Sequence, residues 1–186
     1  MSKISKLLTA YQQHLTIPWD PGAAAVQRVM FAVYDKTDEL RLRANIEEFR
    51  LVTEAAGKKW LPIDLTDAFP KWMAAHEHRE AYFERPSRLS GYPNGEIKPF
   101  VSSLIAQLKR QIVQEAGPDT VVALIGTGAL FGVARVSTVV AGIQDSIPGR
   151  LLVFFPGEFR PEDHTYRLLD ARDGWNYLAV PLLANE

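Results

Sequence analysis

Two short runs, residues 120–125 (TVVALI) and 150–155 (RLLVFF), are apolar at nearly every position. A strand that alternates polar and apolar residues needs cover on one face only. A strand that is apolar at successive positions needs cover on both. A third run of the same kind, residues 28–34 (RVMFAVY), adds β-branched and aromatic members. Three such runs point to a mainly parallel sheet with helices on both faces, an α/β architecture.

The segments between the runs fit that reading. Leu42, Ile46, Phe49 and Val52 recur at helical spacing after Asp35-Lys36-Thr37-Asp38, a cluster of N-cap residues, and Gly57 stands where a left-handed terminating residue belongs. Val101, Leu104, Ile105, Leu108 and Ile112 form one apolar stripe, closed by Gly117-Pro118. Residues 3–14 carry a weaker helical period, residues 67–82 read as a charged helix, and residues 129–147 as a helix interrupted near Ser137. Residues 60–65 (WLPIDL) read as a strand whose Pro62 suits an edge or a bulge. Pro156-Gly157 is expected to halt the strand that precedes it, and residues 166–169 and 177–183 offer further strands.

The length of 186 residues suits a single domain over 1–186, with residues 1–27 as an N-terminal helical extension and residues 85–99 as a long exposed loop. Unstructured loops of that length in compact domains are commonly functional or disordered, and Tyr92 sits near the tip.

Several function classes lose their basis at this level. With no cysteine in the chain, disulfides, thiolate metal sites and thiol nucleophiles are excluded, in keeping with a reducing compartment. A net charge of -1 provides no bulk attraction to nucleic acid or to an anionic membrane. The apolar stretch at Leu7–Leu8 is too short for a signal sequence, so the expected address is the cytoplasm. No membrane span is expected, because residues 120–140 are broken by Gly126, Gly128, Gly132 and Arg135.

No complete catalytic or nucleotide motif is present. Gly126-Thr127-Gly128 with Gly132 is one residue longer than the dinucleotide fingerprint and reads as a tight strand-to-helix turn. Asp35 and Asp64, each just past a strand, could serve as paired carboxylates but more commonly cap the next helix. His76 and His78 are two apart and point to different sides of a helix, unlike a metal-binding i,i+4 pair. No cofactor or metal is therefore expected. Pro156-Gly157-Glu158-Phe159 is the more promising corner: it would expose Glu158 and Phe159 beside the Gly126 turn if their strands are neighbours, with Arg135 available from the adjoining helix.

Three blocks together resemble a known family: FAVYDKTDELRLRANIEEF, VVALIGTGALFGVARVST and RLLVFFPGEF. Their order and spacing resemble the BrxB family of bacterial BREX phage-exclusion systems. The resemblance implies a P-loop-type core without its phosphate loop. It also implies a non-catalytic accessory or adaptor protein that binds other defence proteins, an alkaline-phosphatase-like protein first and a methyltransferase or a large ATPase as alternatives. The expected binding surface comprises Asp35, Asp64, Tyr92, Gly126, Gly128, Arg135, Pro156, Gly157, Glu158 and Phe159. A second reading is a small enzyme or nucleotide sensor with Asp35, Asp64, Gly126, Gly128 and Glu158 around one cleft. A third, a DNA-binding module, needs a basic face that the sequence does not display.

Overall fold

A computed structural model of the chain describes residues 2–20, 22–85, 87, 96–169, 171–174 and 179–184. In chain order the elements are α1 (Lys3–Leu15), β1 (Val29–Tyr34), α2 (Glu39–Ala55), β2 (Lys59–Asp64), α3 (Ala68–Ala75), α4 (Arg79–Glu84) and α5 (Lys98–Glu115). They continue with β3 (Thr120–Ile125), α6 (Val136–Ile143), β4 (Arg150–Arg160), β5 (Thr165–Leu168), β6 (Ala171–Gly174) and β7 (Val180–Leu182).

The apolar runs occupy the middle of one sheet, in the order β2-β3-β4-β1-β7, and every neighbouring pair along that path is parallel. β2, with Pro62, is an edge strand, where a missing N–H costs no ladder bond. Successive side chains of the central strands go to opposite faces. Phe31, Val122, Leu124, Val153 and Phe155 pack against α5 and α6 through Phe100, Leu104, Leu108, Val139 and Ile143. Met30, Ala32, Val121, Ala123, Leu152 and Phe154 pack against α1 and α2 through Leu7, Tyr11, Leu42 and Phe49. A fully apolar strand is what this two-sided burial requires.

α1 is one of these layers rather than an appendage. Its Ile4, Leu7, Tyr11 and Leu15 are buried, and the Tyr11 hydroxyl lies 2.6 Å from Thr53 Oγ1 on α2, itself bonded to the Phe49 carbonyl. Burial raises the Tyr11 pKa, against the opposing effects of Thr53 and Arg150, so the phenol stays a neutral donor.

Four expectations need correction. β4 does not stop at Pro156-Gly157. It pairs with β1 in parallel through Pro156, then with β5 in antiparallel register from Gly157 to Arg160. The pair marks a change of partner: Pro156 presents its carbonyl to the Leu169 amide at 2.9 Å, and Gly157 lets the Arg167 carbonyl come close. Residues 67–82 form two helices, because His76 adopts an extended conformation after α3. Residues 129–147 are mostly not one helix. A 3-10 turn (Thr127–Leu130) is followed by an irregular stretch containing Gly132 at φ +78°, and α6 begins only at Val136. The segment 85–99 is shorter than expected at its far end, since α5 starts at Lys98 and takes Pro99 into its first turn, where proline loses no hydrogen bond. Tyr92 lies outside the described residues.

A methyl group at position 157 would overlap the Arg167 carbonyl oxygen, a backbone atom that cannot give way cheaply. Gly157→Ala should therefore lower unfolding free energy by about 2 kcal/mol or more in chemical denaturation. An unchanged midpoint would show that the β4–β5 hairpin is not closely paired in solution.

Candidate functional site

The carboxyl ends of β1, β2, β3 and β4 meet along one edge, the usual ligand and partner edge of a parallel α/β sheet. Two of the junctions there are the same device. Asp35 accepts from the Thr37 amide at 2.8 Å, and Asp64 accepts from the Thr66 amide at 2.9 Å, each also receiving the threonine hydroxyl. An Asp-x-Thr turn closes the backbone of each strand exit locally. The β1 exit, where a P-loop-type core would carry glycines, is thus a capped 3-10 turn (Lys36–Asp38) leading into α2.

β3 and β4 separate β1 from β2, so the backbones at Asp35 and Asp64 stand three strand spacings apart, about 14 Å. They do not form a carboxylate pair. What spans the edge is Arg43 of α2. Its Nε lies 2.8 Å from Glu39 Oε1, its Nη1 3.2 Å from Asp64 Oδ2 and its Nη2 2.7 Å from Thr66 Oγ1. The Tyr34 hydroxyl donates to Glu39. Burial, reinforced by Glu39, pushes the Tyr34 pKa well up and keeps this donor protonated. Partial burial of Asp64 favours its neutral form, but the Thr66 hydroxyl and amide and the Arg43 charge outweigh it and hold the carboxyl below its ordinary range.

Gly126 explains how Arg43 can lie over the end of β3. It sits at φ +71°, and a Cβ there would come within 3.0 Å of Thr66 Oγ1, Asp64 Oδ1 and Arg43 Nη2. Beside this network opens a hollow of about 310 Å³. Its polar lining is Lys36, Glu39, Arg43 and Thr66, and its remaining lining is Gly126, Gly128, Ala129, Pro156 and Leu169. Gly128 packs closely on the Pro156 ring, which brings the β3 and β4 exits together. Leu169 holds φ +53°, an uncommon conformation for a branched residue, while its amide bonds to the Pro156 carbonyl. Phe131, 46% exposed, follows the Gly126 turn, and Leu40, 83% exposed, stands in the first turn of α2.

Of the sequence candidates, Gly126, Gly128 and Pro156 line the hollow, and Asp64 adjoins it through Arg43. Asp35 is committed to its own turn. Gly157 supports the hairpin in which Glu158 is exposed opposite Arg167, and Phe159 packs on the Tyr166 ring with centroids 4.8 Å apart. Arg135 caps α6, and its backbone amide meets Glu96 Oε1 at 3.3 Å. Among the described residues, no three His, Asp or Glu side chains gather as a metal-binding group. Lys36, Glu39, Arg43, Thr66, Ala129 and Leu169 were not legible as site residues from spacing alone. The Glu39–Arg43 i,i+4 pair and the repeated Asp-x-Thr were the available signals.

No protein-family model, curated protein or solved structure matches the chain. No helix among the described residues is long and apolar enough to cross a membrane.

Two measurements probe this edge. Gly126→Ala should cost about 1–3 kcal/mol of stability, because both the left-handed backbone and the Arg43 network oppose a side chain. Asp64 has a folded-state pKa below its unfolded value of about 3.9, so its contribution is complete above that value and is lost as pH falls through the folded pKa. Acid unfolding of Asp64→Asn should therefore converge on that of the parent at low pH and differ from it above about pH 5. Parallel curves across that range would remove Asp64 from the network.

Proposed function

We propose that the chain is a non-catalytic binding component whose partner polypeptide seats an apolar side chain in the carboxyl-edge hollow. The observation that carries this reading is the state of the charges there. Glu39, Arg43, Asp64, Tyr34 and Thr66 are bonded to one another. The lining left beside them is glycine, alanine, proline and leucine with one further charged residue, Lys36, and Phe131 and Leu40 are exposed at the same edge. A pocket of that character suits a buried anchor residue surrounded by a contact that excludes water.

The finer proposal is an accessory protein of a BREX-like phage-defence system. It is supported by where the three BrxB-like sequence blocks meet. The first block supplies Lys36, Glu39 and Arg43, the second Gly126, Gly128 and Ala129, and the third Pro156, all lining one hollow. On that reading the partner is an alkaline-phosphatase-like protein, with the methyltransferase or the large ATPase of such a system as alternatives.

A second reading, a small enzyme or nucleotide sensor, draws on the position of the hollow at the carboxyl ends of the strands with Lys36, Arg43 and Thr66 in its wall. It differs in requiring a nucleotide-dependent rise in melting temperature.

The test is affinity capture of the tagged chain from its native host, beside the Ala129→Glu and Phe131→Ser variants. Both positions are exposed, so folding should be preserved. The parent should recover one of the named defence proteins in stoichiometric amount, and both variants should lose it while keeping the parent's melting temperature. Recovery of the folded chain alone would reject docking, and nucleotide stabilisation would then put the sensor reading first.

A further inference from the structure

The opposite edge of the sheet has a different chemistry. Arg28 directly precedes β1 and Arg150 opens β4, the two central neighbours, and the register Val29–Leu151 puts these arginines side by side. Lys58 directly precedes β2. All three line a hollow of about 310 Å³, together with Trp19. Asp20 and Asp119 also line it, but each is engaged: Asp20 caps the Gly22 amide at 2.8 Å, and Asp119 pairs with Lys58 at 3.0 Å.

The guanidinium groups have no such counter-charge. Arg150 is only 7% exposed, and its donors go to the carbonyls of His14, Ile17 and Pro18. Arg28 donates through Nη1 to the Ile147 carbonyl at 2.9 Å. Among the described residues, neither has a carboxylate within 4.0 Å. A buried cation that is solvated by carbonyls but not neutralised is costly, and a second guanidinium on the adjacent strand adds repulsion. Two buried donors of the same lining residues, Arg28 Nε and Trp19 Nε1, lack an acceptor among the described residues. The Trp19 ring is bracketed by charge as well, with Lys58 Nζ 4.2 Å and Arg150 Cζ 4.9 Å from its centroid.

We propose that this amino-edge hollow binds a small oxyanion, the phosphate or carboxylate group of a small molecule. Such a group neutralises Arg28 and Arg150 together. It also supplies the acceptor that the indole and the Arg28 Nε lack, once those side chains turn toward the hollow. Guanidinium forks suit planar and tetrahedral oxyanions through paired donors. The aspartates favour one anionic group over an extended polyanion, since three cations face two carboxylates. This site lies at the far end of the strands from the docking edge and does not depend on it.

The test titrates the full chain with inorganic phosphate and, separately, with acetate, each against chloride at matched ionic strength, reading tryptophan emission and melting temperature. A saturable change in both, beyond chloride, is expected with at least one of the two probes. The tighter probe identifies the group as phosphate-like or carboxylate-like. Arg28→Gln and Lys58→Gln should each weaken binding by roughly tenfold or more, the loss expected for a charge-assisted hydrogen bond. Trp19→Phe should remove most of the emission change, and Lys109→Gln, at an exposed position of α5 outside the lining of the hollow, should bind as the parent does. If Arg28→Gln fails to fold, Lys58→Gln carries the comparison. Indistinguishable responses to phosphate, acetate and chloride would overturn the proposal. So would a Lys109→Gln loss equal to that of the hollow variants, which would reveal general charge screening.

Discussion

β4 pairs with β1 through Pro156 on one side and with β3 on the other, and this central ribbon is apolar on both faces. Everything else in the molecule answers the need to cover it. α5 and α6 close one face and α1 and α2 the other, because a parallel ribbon of Val, Leu, Phe and Ala cannot leave either side in water. Aromatic contacts tie the layers to the ribbon: Phe49 of α2 meets Phe154 edge-on at 5.0 Å, and Phe31 meets Tyr166 of β5 edge-on at 4.6 Å. The same pairing fixes the two edges of the sheet, since it brings the exits of β1, β3 and β4 to one edge and their entries to the other.

The two edges then differ in how charge is handled. At the carboxyl edge, Arg43 is shared between Glu39, Asp64 and Thr66, so its groups are already bonded, and with Lys36 of the same hollow the two cations balance the two carboxylates. Partly exposed ion pairs of this kind contribute little to stability, generally below about 1 kcal/mol each. Their consequence is positional: they pin the first turns of α2 to the end of β2 and leave an apolar hollow alongside. At the amino edge the arginines are held by carbonyl oxygens, which orient a guanidinium but do not cancel its charge. A neutralised surface with exposed Phe131 and Leu40 suits a protein partner, whereas a cationic hollow suits an anion.

The features legible in the sequence were those set by local periodicity. The three apolar runs, the α2 and α5 stripes, and the edge position implied by Pro62 all follow from burial patterns and backbone chemistry within a few residues. The junctions were harder. Pro156-Gly157 looks like a stop because the same residues that end a strand also permit a change of strand partner, and only the presence of β5 distinguishes the two. His76 and Gly132 each interrupted a helix where the apolar spacing continued, since side-chain pattern does not report a backbone that turns extended or left-handed. Asp35 caps the 3-10 turn after β1 as the sequence suggests, whereas Asp64 closes a turn onto Thr66 and leaves the N-cap of α3 to Asp67; the separation of the two depends on strand order, which no local pattern encodes.

The sequence by itself determined that this chain builds a two-sided parallel sheet and that two of its strand exits, at Asp35 and Asp64, are closed by Asp-x-Thr turns. Both follow from interactions between residues close in the chain. Tertiary structure decided the strand order and so which strand exits become neighbours. It carried Arg43 across to Asp64 and Thr66, set Gly126 beneath it, and placed Arg28 beside Arg150 through the register of β1 and β4. Those contacts join residues about 20 to 120 positions apart, and their geometry exists only once the strands have chosen their order.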